Sequence, residues 1–460
     1  MSYGIYVGKD LTADGGVFLA GYGDEPSSHW LEIIPARKHA EGATVEVGAT
    51  ETARFPGELM EIPQVAETAA YITMNYSSYA GYKAPITNGG LNAHEVAARD
   101  IWSPSREALR EMTPNPQRGP HYSDLSRIVM ERATSAREAV EIVGGLIDQY
   151  GYSTYGGNSH MFADREEGWI LIDFAGGAGL WVAERLGPGD IRVSRPGYIG
   201  EIPVDFQDSP DHMGSANLIS FAEEQGWFNR GTGEPFNVNK IYGDGKMQHE
   251  AVAIVEGRLA DRKGRIGLVD VMNEVRADEV MKDSAGYGQV ADLREEDHPE
   301  LTTLWVAATT PVAAPFIPYR MGVTEAPPEF GKHRYLTEGE NEKFMDPEFQ
   351  GIESTKYACR LGKRLYYQML EHRDVFYEEV LETFRGFERG LIDQEDSVKQ
   401  TAAVLYKSNR ADLAREYLTY YSQTEAMNGL RLMETLAEGV EARTKALFGI
   451  RRPSDSVISE

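Results

Sequence analysis

Residues 2–25 read SYGIYVGKDLTADGGVFLAGYGDE, and they decide how the chain begins to fold. Tyr3, Ile5 and Val7 fall on one face of a pleated strand. Asp14-Gly15-Gly16 supplies a turn, VFLAG (17–21) reads as the returning strand, and LEIIP (31–35) as a third strand closed by proline. A β-meander is expected, its first strand starting at the extreme N-terminus with Ser2 at its head. Asp10 and Asp14 lie among glycines here, but a calcium loop needs more oxygen ligands at regular spacing, so a hairpin turn is the reading.

Further strands are expected in ARFPGELMEIPQV (53–65) and AAYITMNYSSYAG (69–81), with a turn at Thr87–Gly90 before LNAHEVAA. Between 123 and 150 the apolar period changes to three and four, which predicts an amphipathic helix broken near Thr134-Ser135, where Ser135 and Glu138 form a capping box. GGNSHMFADREEGWILIDF (156–174) reads as two strands around a turn at Asp164–Gly168. Leu268–Met281 reads as a short helix, 301–322 as strand, Pro-rich loop and strand, and about 351–448 as almost wholly helical. The single cysteine, Cys359, sits among Tyr357, Leu361 and Leu365 at helical spacing and is expected in the core. The fold class is thus α+β, with a mixed core over 2–335, a helical region over 336–450 packed on it, and a polar tail over 451–460.

The 72 acidic and 46 basic side chains leave a net charge of −26, a surface that repels nucleic acid and anionic lipid. One cysteine allows no internal disulfide and fits a reducing compartment. There is no apolar run of about 18 residues and no signal pattern, so a cytoplasmic location is expected. The ten histidines show no H-E-x-x-H spacing, so no metal is expected. AGGAGLW (175–181) lacks the G-x-G-x-x-G spacing, and YGDGK (242–246) lacks the Ser or Thr of a P-loop; both read as turns, and no organic cofactor is expected. The oligomeric state is left open, a homo-oligomer included.

A serine hydroxyl is a poor nucleophile that needs a base. Met1 precedes the small residue Ser2, a context in which the initiator methionine is usually removed. Removal gives Ser2 a free α-amine, with a pKa of about 7.7–8.0 in an unperturbed chain, partly neutral near pH 7. One residue then holds both nucleophile and base.

Several motifs together resemble the C69 dipeptidase family, relatives of the choloylglycine hydrolases and penicillin V acylases. The opening stretch resembles the family's Cys, apolar residues, V-G-K, acidic D-G turn and A-R-N-E-D. NGGLNAHEVA (88–97) is similar to N-E-G-x-N-E-x-G-V-A, and HMFADREEGWILID (160–173) to A-D-x-x-E-A-W-V-L-E. YIGEI (198–202) follows R-I-G-E-I, and LWVAATTPVAAPFIPYRMGVTEAPPEF (304–330) resembles the family's L-W-x-A…P-F-x-P-F-Y-x-G-V segment. The resemblance covers nearly the whole chain. It implies an N-terminal nucleophile (Ntn) hydrolase: an αββα sandwich with a helical C-terminal extension, which cleaves the amide bond of a small peptide or amide substrate with no metal or organic cofactor.

Carried over position by position, the resemblance makes Ser2 the nucleophile, in place of the family cysteine, and Asp24 the residue that holds its α-amine. The family arginine is replaced by Gly21, so one cation beside the nucleophile is missing. Asn92, or backbone amides near Asn88–Gly90, is expected in the cleft wall. Ser194-Arg195-Pro196 stands where the family carries an asparagine, and Arg195 is expected to restore a positive charge, an oxyanion donor or a bidentate grip on a substrate carboxylate. These departures leave two outcomes open: an active amidohydrolase, or an altered or inactive member that binds a small ligand or partner or hydrolyses a non-peptide amide.

Overall fold

The computed structural model describes residues 2–24, 29–76, 81–82, 85–246, 248–282, 285–332 and 357–449. The strands that build the core are, in chain order, β1 (Tyr3–Val7), β2 (Val17–Asp24), β3 (His29–Ile34), β4 (Tyr71–Tyr76), β5 (Ile86–Thr87), β6 (Gly89–Asn92) and β7 (Ala97–Ile101). They continue as β8 (Asn158–Ala163), β9 (Gly168–Asp173), β10 (Trp181–Leu186), β11 (Ile191–Ser194), β12 (His212–Gly214), β13 (Ala285–Leu293), β14 (Thr303–Ala307) and β15 (Ile317–Arg320). The helices that cover them are α1 (Tyr122–Arg132), α2 (Ala136–Tyr150), α3 (Glu250–Ala260), α4 (Leu268–Val275), α5 (Ala358–Glu371), α6 (Arg373–Lys407) and α7 (Ala411–Phe448).

Two antiparallel sheets result. The first runs β11-β1-β2-β13-β14-β15; the second runs β12-β10-β9-β8-β7-β6-β4-β3, with β5 on β4. They stack face to face, β7 and β8 against β1 and β2. Strict alternation divides the side chains of the second sheet. Ala97, Ile101, Met161, Ile170 and Ile172 enter the core between the sheets. Ala98, Phe162, Trp169 and Leu171 face outward, under Leu125, Ile128 and Val129 of α1 and Val140, Val143 and Ile147 of α2. On the other side, α4 buries Leu268, Val271, Met272 and Val275, a three-and-four stripe, against β2 and β13. The layers are therefore helix, sheet, sheet, helix, as the resemblance implies.

The N-terminal meander is corrected. β1 and β2 form the expected hairpin, but β2 next pairs β13, and β3 leaves for the second sheet, where it pairs β4. Every residue of β2 but Asp24 is buried, so this strand is covered on both faces and takes a partner on each edge. The turn expected at Thr87–Gly90 is instead strand, because Gly89 and Gly90 adopt φ of 108° and 142° and continue the ladder. The helix over 123–150 does break where expected: Ser135 Oγ accepts from Glu138 N at 3.1 Å, although the Glu138 carboxylate turns to Thr134 N instead of closing the box.

Helices α5–α7 pack on one another, and α6 and α7 lie on β15, the edge of the first sheet. An open edge presents unpaired backbone groups, and here helix side chains take them. Ser422 Oγ donates to Pro318 O at 2.8 Å, and Phe316 N donates to Glu388 at 2.8 Å. Glu388 also grips Arg276, just beyond α4, in a two-point pair of 2.6 and 2.9 Å with both side chains buried. Arg320 and Lys399 share Glu395 in the same interface. Cys359 is buried there, in α5. The expected boundary at 335/336 and the tail at 451–460 lie outside the described residues.

These pairs predict how the helical region is held. Glu388→Ala leaves the buried Arg276 guanidinium uncompensated and should cost about 3–5 kcal/mol in urea unfolding; a cost below about 1 kcal/mol would refute the clamp. Burial alone would raise the Glu395 carboxyl, but Arg320 and Lys399 outweigh it and hold the group below its ordinary value. A depressed folded-state value gives stability that is complete at neutral pH and fades as pH falls below about 4. Glu395→Gln should flatten that acid limb of a urea-midpoint profile.

Candidate active site

Ser2 directly precedes β1 and is 4% exposed. The β1–β2 hairpin pairs Tyr3 with Tyr22 and Gly4 with Gly21, which brings the end of β2 to Ser2. Asp24 N donates to Ser2 Oγ at 3.4 Å. An N–H aimed at this oxygen lowers the cost of negative charge on it. The buried Asp24 carboxylate forms an ion pair at 3.4 Å with Lys282 Nζ, and the lysine side chain is 41% exposed. The Ala285–Asp24 pairing fixes the lysine's chain segment there.

Arg195 arrives from the other edge of β1. Gly4 pairs with Ser194, so Arg195 lies one residue past that rung. It is buried, and its Nη1 donates to Tyr22 Oη at 2.9 Å and to Val280 O. Its Nε is also buried and has no hydrogen-bond partner among the described residues. The backbone N of His249 donates to Arg195 O at 3.1 Å, and the Nδ1 of His249 accepts from Ala251 N at 3.2 Å, capping α3. Burial, then the cations Arg195 and Lys282, hold His249 below its ordinary value. The ring is thus neutral at pH 7, and with Nδ1 accepting, its proton sits on Nε2.

Ser2 and Asp24 therefore meet at one end of the β1–β2 hairpin, and Arg195 lies near that end, against the Tyr22 hydroxyl. Asn92 lies elsewhere. Its Nδ2 donates to Met130 O and Ala133 O at 3.2 and 2.8 Å, and its Oδ1 accepts from His94 N and Val96 N at 3.0 Å each. Those partners put it on the outer face of the second sheet, under the end of α1, where it fixes a turn; its expected place in the cleft wall is corrected. Lys282 and His249 were not singled out by the sequence reading, since neither stands in a motif. A cavity of about 800 Å³ opens elsewhere, lined by Ile34, Tyr71, His94, Arg132, Met321 and Arg415, and none of the residues around Ser2 borders it.

The family comparison takes in the β1–β2 hairpin from residue 4 onward. Residues 4–253, more than half of the chain, match the model of peptidase family C69, and the chain belongs to that family. It is 32% identical over 234 residues to a dipeptidase of Bifidobacterium longum (strain NCC 2705), a match that covers 48% of this chain and 42% of the relative. It is 36% identical over 130 residues to a probable dipeptidase B of Lactococcus lactis subsp. lactis (strain IL1403), covering 28% and 26%. The matches thus span less than half the length of either relative. Among solved structures, a mutant of the conjugated bile acid hydrolase from Clostridium perfringens aligns at 11% identity and a TM-score of 0.30, covering 67% of this chain and 89% of that one. No described helix is long and apolar enough to cross a membrane.

Asn92→Ala strips four backbone groups of their partner, three of them in buried hydrogen bonds, and each buried loss costs about 1–3 kcal/mol. Unfolding free energy should fall by at least about 2 kcal/mol; an unchanged urea midpoint would show that Asn92 is not the fastener described.

Proposed function

We propose that this chain is an N-terminal nucleophile amidohydrolase that acts on dipeptides or similar small amides through Ser2. What carries the reading is the contact between Ser2 Oγ and the amide of Asp24, at the end of the strand pair that the family resemblance assigns to the nucleophile. Met1 is removed, and the neutral α-amine of Ser2 takes the hydroxyl proton, directly or through one water. Oγ bonds to the substrate carbonyl carbon, whose π electrons move onto oxygen. The tetrahedral species collapses, the C–N bond breaks, and the amine gives its proton to the departing nitrogen. An ester on Ser2 remains. Water, deprotonated by the same amine, attacks the ester carbon; the C–Oγ bond breaks, the amine returns the proton to Oγ, and the acid is released.

Asp24 orients the amine, and Lys282 shares its carboxylate so that the amine need not stay charged. The Nε of Arg195, without a partner among the described residues, supports a carboxylate as the anchoring group of the substrate. A buried N–H without a partner is costly, and a charged acceptor gains about 1.5–3 kcal/mol there. A small peptide with a free C-terminus fits, in a cytoplasmic setting consistent with the one buried cysteine. The second reading, a member that binds without turnover, is favoured by the glycine at 21 where the family has arginine.

Two measurements separate the readings. Intact mass is taken on purified protein, and amino acid release from a dipeptide panel is followed beside Ser2→Ala. Loss of Met1 with hydrolysis that vanishes in Ser2→Ala is the expected result; turnover equal to the Ser2→Ala background favours binding alone. Arg195→Gln should raise KM about 10–100-fold for dipeptide acids and leave KM for dipeptide amides unchanged. An equal effect on both would remove Arg195 as the carboxylate anchor.

A further inference from the structure

Arg99 is the most deeply buried cation near the hairpin, with no measurable exposure. It sits on β7, opposite Gly89 and Met161, and its side chain crosses the space between the sheets. Nε donates to Tyr3 O at 3.4 Å, Nη2 to Tyr22 O, and Nη1 to the Tyr287 hydroxyl, while the guanidinium carbon stands 5.1 Å from the centre of the Tyr287 ring. Tyr3 and Tyr22 are the rung immediately below Ser2.

Gly21 explains why the cation comes from the opposite sheet. Its φ of 152° suits glycine, and a Cβ there would lie 1.9 Å from Tyr3 O. No side chain can leave β2 at this position, so a charge here must be brought from outside the hairpin.

We propose that Arg99 is the positioning residue for Ser2: it fixes the Tyr3–Tyr22 rung from which Ser2 projects and supplies the positive charge that β2 has no room to carry. The proposal rests on the reading of Ser2 as nucleophile and goes beyond it by assigning a role to a residue outside every motif. Two parallel donations to carbonyls on adjacent strands lock their register and the direction in which Ser2 leaves β1. The charge also disfavours the ammonium form of the Ser2 amine. Other charged groups lie near this end of the hairpin: Asp24 paired with Lys282, Arg195 beside His249, and Arg258, shared by Glu274 and Glu279, behind Tyr3. The carboxylates Asp24, Glu274 and Glu279 favour the ammonium; the cations Arg99, Arg195, Lys282 and Arg258 oppose it.

The test is the pH dependence of acylation of the Ser2 amine by acetic anhydride, read by mass spectrometry on intact, folded protein. It needs no substrate. Arg99→Gln should move the midpoint up by about one pH unit, and Arg99→Lys should keep it at the wild-type value. With a hydrolysed dipeptide in hand, the acid limb of kcat/KM should move with it, and Arg99→Lys should lose kcat about 10–100-fold with its limb in place. Coincident midpoints for wild type and Arg99→Gln overturn the proposal. A wild-type midpoint at or above that of the free peptide SYGIYV overturns it too, even if no neutral variant folds. Met1 still present in the intact mass would defeat the Ser2 reading itself, and the Arg99 role with it; Met1 removed with coincident midpoints defeats the Arg99 role alone.

Discussion

The glycine rung of β1 and β2 is the constraint on which the sandwich depends. A Cβ on Gly4 would stand 2.5 Å from Ile101 Cδ1 and 2.8 Å from Met161 Sδ, so the sheets touch here with no side chain of the first sheet between them. Close approach gives dense packing but leaves carbonyls facing a dry interior, and a buried carbonyl without a donor is costly. The sequence meets that cost with one long cationic side chain from the opposite sheet. Arg99 reaches the carbonyls of Tyr3 and Tyr22 beside this glycine rung. Close packing and a buried charge thus meet at the same rung.

Electrostatics elsewhere follow a division of labour. Excess acid lies on the surface, where it keeps a chain of net charge −26 soluble. Inside, carboxylates are matched to cations: Glu388 with Arg276, Glu395 with Arg320 and Lys399, Asp24 with Lys282. The first two join the C-terminal helices to the first sheet and cover its edge, so charge specifies the docking of a helical region whose apolar stripes could otherwise slide. Near Ser2, cations enter from several elements: Lys282 on Asp24, Arg195 on Tyr22 and Arg99 on the Tyr3 and Tyr22 carbonyls.

Much of the fold was legible because it is written in local period. Strands β1 and β2, the α1–α2 break at Ser135 and the helical third all follow from alternation, three-and-four spacing or a cap. What failed was what local pattern does not encode. β3 has a strand's period whichever sheet it joins, and its departure to the second sheet is decided by β13 claiming the free edge of β2 from a distant part of the chain. Asn92 sits in a motif that resembles the family's and looks like a binding residue, yet its four hydrogen bonds are local fasteners. Conversely, Arg99 and Lys282 stand in no motif; only topology brings them to Ser2. Of the site residues expected from the sequence, Ser2 and Asp24 meet at the end of the hairpin, while the basic residues near it carry no local signal.

The serine at position 2 and the cations around it make one chemical argument. A cysteine can be tuned toward its thiolate because its pKa of about 8.5 lies within reach of neutral pH. A serine hydroxyl cannot be ionised in advance, so its base must be neutral and poised at the moment of attack. For an α-amine, a lone buried aspartate nearby works against this, since it favours the ammonium. On the proposed reading Asp24 orients the amine, and its charge has to be offset by others. Lys282 does so directly, Arg195 from across β1, and Arg99 from the opposite sheet. On the proposed reading, a serine nucleophile calls for a more positive surrounding; Arg195 stands where the resemblance implies an asparagine, and Arg99 brings a further charge from the opposite sheet.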